Sequence, residues 1–178
     1  MKKLRVDLSE LALAFTTDEM SGMDHFLDLE TGNVLMTTED DRRAAEEFFE
    51  EAEIKEGEDV NARFEKWLEE YDCPDWQTDS IRDAFLIERE FGGRFIGVPK
   101  QESRDGYRDM VDFAESVTDD RLRDLLSVAL NGKGAFRRFK DVLYSYPEEK
   151  QRWYDFSEKQ VNERVLEWLE SEDIEVEE

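Results

Sequence analysis

Acidic residues outnumber basic ones two to one in this chain, 48 to 24, yet none occurs between Asp124 and Asp141. That window holds Lys133, Arg137, Arg138 and Lys140. A cationic island on an anionic chain has to be placed by the fold. It either meets an anion or neutralises neighbouring acids. The remaining carboxylates must stay in water while apolar residues on one side of each element build a core.

The apolar residues suffice for that core. Aromatics make up 12% of the 178 residues, with twelve Phe, four Trp and five Tyr. A chain of this length corresponds to one domain, burying on the order of 70% of its unfolded surface. A net charge of −24 favours solubility and basic partners, and it opposes non-specific contact with nucleic acid or an anionic membrane. Only a basic patch presented within a Debye length, about 8 Å at physiological salt, escapes that repulsion. The single cysteine, Cys73, excludes an intrachain disulfide and points to a reducing compartment. The N-terminus Met1-Lys2-Lys3-Leu4-Arg5-Val6-Asp7 meets an acid before any apolar run, so no signal peptide is expected. No apolar run approaches the ~20 residues of a membrane span. These features predict a soluble cytoplasmic protein with no membrane partner.

Leu8, Leu11, Ala12 and Phe15 recur at helical spacing. His25, Leu27 and Leu29 then alternate with Asp24, Phe26, Asp28 and Glu30, and Thr31-Gly32-Asn33 leads into Val34-Leu35-Met36. Period two on both sides of a Gly/Asn turn predicts a β-hairpin. Thr38 is placed to cap a helix whose first turn carries Glu39, Asp40 and Asp41, where the helix dipole favours negative charge. Ala44, Ala45, Phe48 and Phe49 form its apolar stripe. A loop over 53–60 separates it from a helix with Phe64, Trp67, Leu68 and Tyr71, closed by Cys73-Pro74. A further helix starts at Asp79 or Ser80 and stops at Gly92-Gly93. Arg94 to Pro99 reads as a short strand able to join the hairpin.

From Ser103 the pattern is helical. One stripe runs from Tyr107 to Val117. Thr118 is expected to cap the next, with Leu122, Leu125, Leu126 and Leu130, and Asn131-Gly132 breaks it. A third runs from Ala135 to Tyr146 and is closed by Pro147. Trp153 and Phe156 are expected on a short turn. Ser157-Glu158-Lys159-Gln160, a capping-box pattern, opens a last helix. The expected fold is α+β: a small antiparallel sheet of hairpin plus one short strand, packed by several amphipathic helices, with a helix-rich C-terminal half. Residues 1–170 are expected to form one compact domain with 39–78 as an acidic helical excursion, and 171–178 to be a frayed acidic tail.

Candidate chemistry is sparse. Gly132 and Gly134 leave backbone N–H groups open at a helix start, with Lys133 beside them and Arg137 one turn on. Lys133, Gly134, Arg137, Arg138 and Lys140 are thus candidate anion contacts, with Trp153 as a stacking face. The segment lacks the Lys-Ser/Thr pair and preceding strand of a P-loop. The competing reading makes Gly132 a helix C-cap, pairs the arginines with neighbouring acids, and puts Phe136, Phe139 and Trp153 in the core. Asp24, Asp28 and Glu30 share one strand face and have the chemistry of a cation site. Alternation explains them as a solvated face, and no metal is expected. His25, the only histidine, falls at the core edge, and no catalytic set forms around it. The acidic surroundings of Cys73 disfavour a thiolate, which argues against a nucleophile. No cofactor is expected.

Several segments together resemble an uncharacterised bacterial protein family of unassigned function: 26–34, 95–99, 132–143 with its Gly-Lys-Gly-Ala-Phe-Arg-Arg-Phe-Lys-Asp block, Trp153-Tyr154-Asp155-Phe156, and Glu167-Trp168-Leu169. The resemblance spans the hairpin and most of the chain after 95, is weaker over 39–90, and implies a compact fold without assigning a reaction. Two functions stay in view. One is a non-enzymatic acidic regulatory or adaptor protein that binds a macromolecular partner, a basic protein. The other is an anion or nucleic-acid contact module acting through 133–140.

Overall fold

The computed structural model describes residues 1–177. Contacts divide them into two units, Met1–Pro99 with the chain from Glu175, and Lys100–Ile174. No Pro-, Gly- or Ser-rich linker marks the boundary at Pro99-Lys100, and nothing in the composition there announces it. The protein is α+β, with eight α-helices among the described residues and a helix-rich C-terminal half.

The first unit is organised by the hairpin. Strands β2 (Met23–Asp28) and β3 (Val34–Thr38) pair antiparallel, with Leu27 opposite Val34 and His25 opposite Met36. Strand β4 (Phe95–Gly97) pairs antiparallel on the other edge of β2, giving the order β3-β2-β4. Leu27 and Phe95, which the register puts on opposite faces of the sheet, are both fully buried. His25 is half-buried, at the core edge.

Asp28 departs from the solvated face expected of it. It is only 3% exposed. Pairing of Asp28 with Phe95 brings Arg94 alongside, and its guanidinium donates to the Asp28 carboxylate at 3.0 Å through Nε and 2.7 Å through Nη2. Alternation on a hairpin tells which side a residue faces, but not that Arg94, at the entry to the strand on the other edge of β2, meets Asp28 there. Asp24 holds Arg42 at 2.9 Å and Glu30 lies 3.4 Å from Arg94. These three carboxylates meet arginines.

The turn between the strands depends on Gly32. Its φ is +78°, and a Cβ there would lie 1.9 Å from the Arg5 carbonyl oxygen. Its N–H donates to the Asp28 carbonyl at 2.8 Å. Glycine alone fits both the left-handed backbone and the close approach.

Helix α2 (Glu39–Glu51) opens on Thr38 as expected, with a reciprocal capping box to Asp41. Asp41 does more than complement the helix dipole. It is buried, and it also accepts from Gln77 Nε2 at 2.9 Å and Ser80 Oγ at 3.1 Å. The cap of α2 therefore fastens the start of α4 (Thr78–Glu90). Burial raises the Asp41 pKa, but donors from Thr38, Gln77 and Ser80 outweigh it, so the carboxyl stays below its ordinary range. Helix α3 (Val60–Glu70) completes the group, capped by Asp59. Phe48, Phe64, Phe85 and Trp67 pack at the centre, with the Phe64 and Phe85 rings stacked 3.8 Å apart. Full burial of each phenylalanine contributes about 1.5–3 kcal/mol. Helix α1 is Leu8–Thr16.

The acidic tail is corrected too. Strand β5 (Ile174–Val176) pairs with β1 (Lys2–Leu4), and the Glu177 N–H donates to the Leu4 carbonyl at 3.0 Å. The alternation of Ile174 and Val176 supplies the apolar side that fraying would expose. Glu178 lies outside the described residues.

The second unit packs α5 (Ser103–Ser116), α6 (Asp120–Ala129), α7 (Ala135–Tyr144) and α8 (Pro147–Ser171) around Met110, Phe113, Leu122, Leu126, Phe139 and Trp153. Asp119, not Thr118, caps α6, accepting from the Leu122 N–H at 2.8 Å. Helix α8 runs unbroken through Ser157, and Pro147 opens it at the first position instead of merely closing the helix before. The reason is an i, i+4 row of Trp153, Ser157, Val161, Val165 and Leu169. Trp153, Val161, Val165 and Leu169 in that row are buried, and their packing outweighs a local capping pattern. The buried Asp109 is held by Arg164, whose Nη1 donates to Asp109 Oδ2 at 2.9 Å.

Gly32→Ala is expected to lower unfolding stability by at least about 3 kcal/mol, through a positive-φ penalty and the clash with Arg5. Chemical denaturation of the variant measures it; a loss below ~1 kcal/mol would mean that the turn relaxes freely.

Candidate functional site

The cationic island is built into the turn between α6 and α7. Gly132 and Gly134 both take left-handed φ values, +78° and +77°, and together reverse the chain. Arg138 folds back over that turn. Its Nε donates to the Ala129 carbonyl at 3.1 Å, Nη1 to that of Lys133 and Nη2 to that of Asn131. These carbonyls lie at the end of α6 and in the turn beyond it, where intrahelical donors run out. A cation at a helix C-terminus also complements the dipole. A Cβ on Gly134 would lie 3.3 Å from Arg138 Nη1, so the guanidinium covers the cap of α7.

The other candidate residues separate. The Arg137 side chain is 89% exposed, with Asp141 one turn on at 3.9 Å. Lys133 and Lys140 are exposed, and among the described residues neither has a carboxylate within 4.0 Å. Trp153 is 9% exposed and packs edge-on against Phe113 and Phe139; its ring faces are covered, as the core reading expected. Phe139 is fully buried, whereas Phe136 is 43% exposed. Lys133, Arg137 and Lys140 therefore share the surface, while Gly134, Arg138 and Trp153 hold the local structure.

Most other arginines end on acids. Arg42 meets Asp24, Arg82 meets Glu65 and Asp79, and Arg152 meets Glu149. On α2 the side toward α3 is satisfied: Glu47 accepts from the Tyr71 hydroxyl at 3.1 Å and Glu51 from Trp67 Nε1 at 3.3 Å. The outer side is not. Glu46 and Glu50 lie one turn apart on it and Glu53 follows just past the end of the helix, all exposed, and among the described residues none has a cation within 4.0 Å.

A feature that sequence reasoning missed is an open cleft of about 390 Å³ between α5 and α6. Val111, Ala114 and Leu130 give it an apolar floor, and Glu115, Asp124 and Ser127 a polar rim. The Tyr107 hydroxyl donates to the Leu130 carbonyl at 3.0 Å and closes one end. Arg123 also lines the cleft, but its guanidinium donates to the Val117 carbonyl at 3.1 Å and pairs with Asp120. No linear pattern signals this cleft, because its walls come from two helices. Among the described residues, no group of three or more His, Cys, Asp or Glu is arranged to hold a metal ion. No described helix is long and apolar enough to cross a membrane.

The profile of an uncharacterised protein family, UPF0158, matches residues 68–177. The UPF0158 protein PA5073 of Pseudomonas aeruginosa is 27% identical over 174 residues, covering 98% of this chain and 87% of its own. The family match takes in 95–99 and 132–143, and the hairpin at 26–34 lies before it. No solved structure matches the chain.

Two adjacent arginines with different work give a sharp comparison. Arg138→Ala is expected to cost about 1–3 kcal/mol, because it leaves carbonyls at the end of α6 without their donor. Arg137→Ala is expected to stay within about 0.5 kcal/mol of the parent, as exposed ion pairs do. Equal losses in thermal or denaturant unfolding would contradict the assignment.

Proposed function

The chain belongs to the uncharacterised protein family UPF0158, and we propose that it is a non-enzymatic regulatory or adaptor protein that binds a basic macromolecular partner. The observation that carries this reading is the division of its charges. Arg42, Arg82, Arg94, Arg138, Arg152 and Arg164 are committed to carboxylates or carbonyls of the fold. Glu46, Glu50 and Glu53 are left outward and unbalanced. A surface of that sign accelerates encounter with a cationic partner and repels polyanions, in a salt-dependent way. The buried carboxylates do not offer themselves for acid–base work: Asp28, Asp41 and Asp109 are each occupied by donors.

A second reading has its own observation. Lys133 in the turn before α7 and Arg137 and Lys140 along it stand exposed, a set of cations suited to a phosphate-bearing partner.

Capture from lysate onto immobilised protein tests both. The expected outcome is retention of identified proteins of basic isoelectric point at low salt, their release as salt rises, and weaker retention by the variant carrying Glu46→Gln, Glu50→Gln and Glu53→Gln. An empty eluate at low ionic strength contradicts the adaptor reading. Retention of the protein on heparin, abolished by Arg137→Ala with Lys140→Ala, would transfer the function to the second reading.

A further inference from the structure

We infer that the cleft between α5 and α6 is an anchoring site for an arginine side chain of the partner. The inference rests on the basic-partner reading and adds the place and the residue type. Three features of the cleft support it.

The first is the floor. Val111, Ala114 and Leu130 present apolar surface on which the methylene stem of a long cationic side chain can lie. The second is charge. Glu115 from α5 and Asp124 from α6 both border the cleft and are exposed, and among the described residues neither has a cation within 4.0 Å. Arg123, the one cation of the lining, already pairs with Asp120 and donates to the Val117 carbonyl. A cationic head entering the cleft therefore meets two carboxylates from different helices without displacing an existing pair. The third is preorganisation. The Tyr107 hydroxyl bond to the Leu130 carbonyl ties α5 to the end of α6. The same end is fixed by Arg138 on the Ala129 carbonyl. Entry of a ligand then orders little that is not ordered already.

The volume of about 390 Å³ sits near the lower end of small-ligand sites, which span roughly 300–1,000 Å³. One side chain with its flanking backbone fits that scale. Arginine is favoured over lysine because a planar guanidinium can donate to two carboxylates at once, whereas an ammonium is a compact and strongly hydrated charge.

The probe is a fluorescent hexa-arginine peptide, followed by anisotropy at low salt, with a hexa-lysine peptide beside it. The variant Glu115→Gln with Asp124→Asn removes two charges while keeping side-chain size. The control Glu158→Gln with Glu170→Gln removes the same charge from exposed positions on α8. Far-UV circular dichroism and thermal unfolding confirm that each variant is folded. The cleft assignment expects at least tenfold weaker hexa-arginine binding in the cleft variant, less than about threefold in the control, and weaker hexa-lysine than hexa-arginine binding to the parent. It also expects amide shifts on peptide addition to concentrate at Ser127 and Asn131. Equal weakening in the two variants overturns the cleft and leaves the basic-partner reading standing. No binding of either peptide by the parent protein overturns both.

Discussion

One guanidinium joins three elements of the first unit. Arg94 donates to Asp28 through two nitrogens, lies 3.4 Å from Glu30 and 3.8 Å from Glu90, and covers the Phe95 ring at 5.0 Å. Its own backbone carbonyl accepts from the Leu29 N–H at 2.8 Å. The end of the hairpin, the C-terminus of α4 and the start of β4 therefore converge on a single residue. Desolvating two charges is costly, and such a pair stabilises only when its remaining hydrogen-bonding positions are filled. Here they are: the Glu30 N–H also donates to Asp28, at 2.9 Å.

That arrangement has a consequence for the rest of the surface. With 24 bases against 48 acids and a net charge of −24, pairing a cation with a buried carboxylate leaves the outer excess of carboxylates unchanged, and a cation spent on carbonyls, as Arg138 is, adds to it. Arg94, Arg138 and Arg164 act on buried or backbone groups, where a neutral residue would leave donors or acceptors unpaired. The outward carboxylates of α2 and the two at the α5–α6 cleft are the complement of those choices. Self-repulsion among them opposes folding and is screened by salt. The basic partner proposed above would relieve the same repulsion, which would link its binding to stability.

Much of the fold could be read from the chain because its signals are local. The alternation through Leu27, the turn at Gly32 and the Thr38 cap depend on neighbours in sequence, and the helical stripes through Phe48, Phe64 and Leu126 on spacing. What escaped depends on residues far apart. Asp28 was legible as strand, but its burial depends on Arg94, 66 positions away. Ser157-Glu158-Lys159-Gln160 has the letters of a helix start, and only the packing of Val161, Val165 and Leu169 beside Trp153 carries the helix through it. The charge of Arg138 was plain, whereas the carbonyls it satisfies exist only once α6 has ended and the chain has turned. Glu115 and Asp124 come to share a cleft through helix packing alone.

The most direct test is the titration of Asp28, followed through its side-chain carboxyl carbon by nuclear magnetic resonance. Burial raises its pKa, and Arg94, the Glu30 N–H and Thr31 more than reverse that, leaving it at about 2. Because the folded value lies below the unfolded one of about 3.9, the group's contribution to stability is complete above pH ~4 and is lost as pH falls toward ~2. A titration midpoint near 2, with stability declining over that window, is the predicted result. A midpoint at or above about 3.9 would mean that Arg94 does not hold this carboxylate, and the account of committed cations would fail with it.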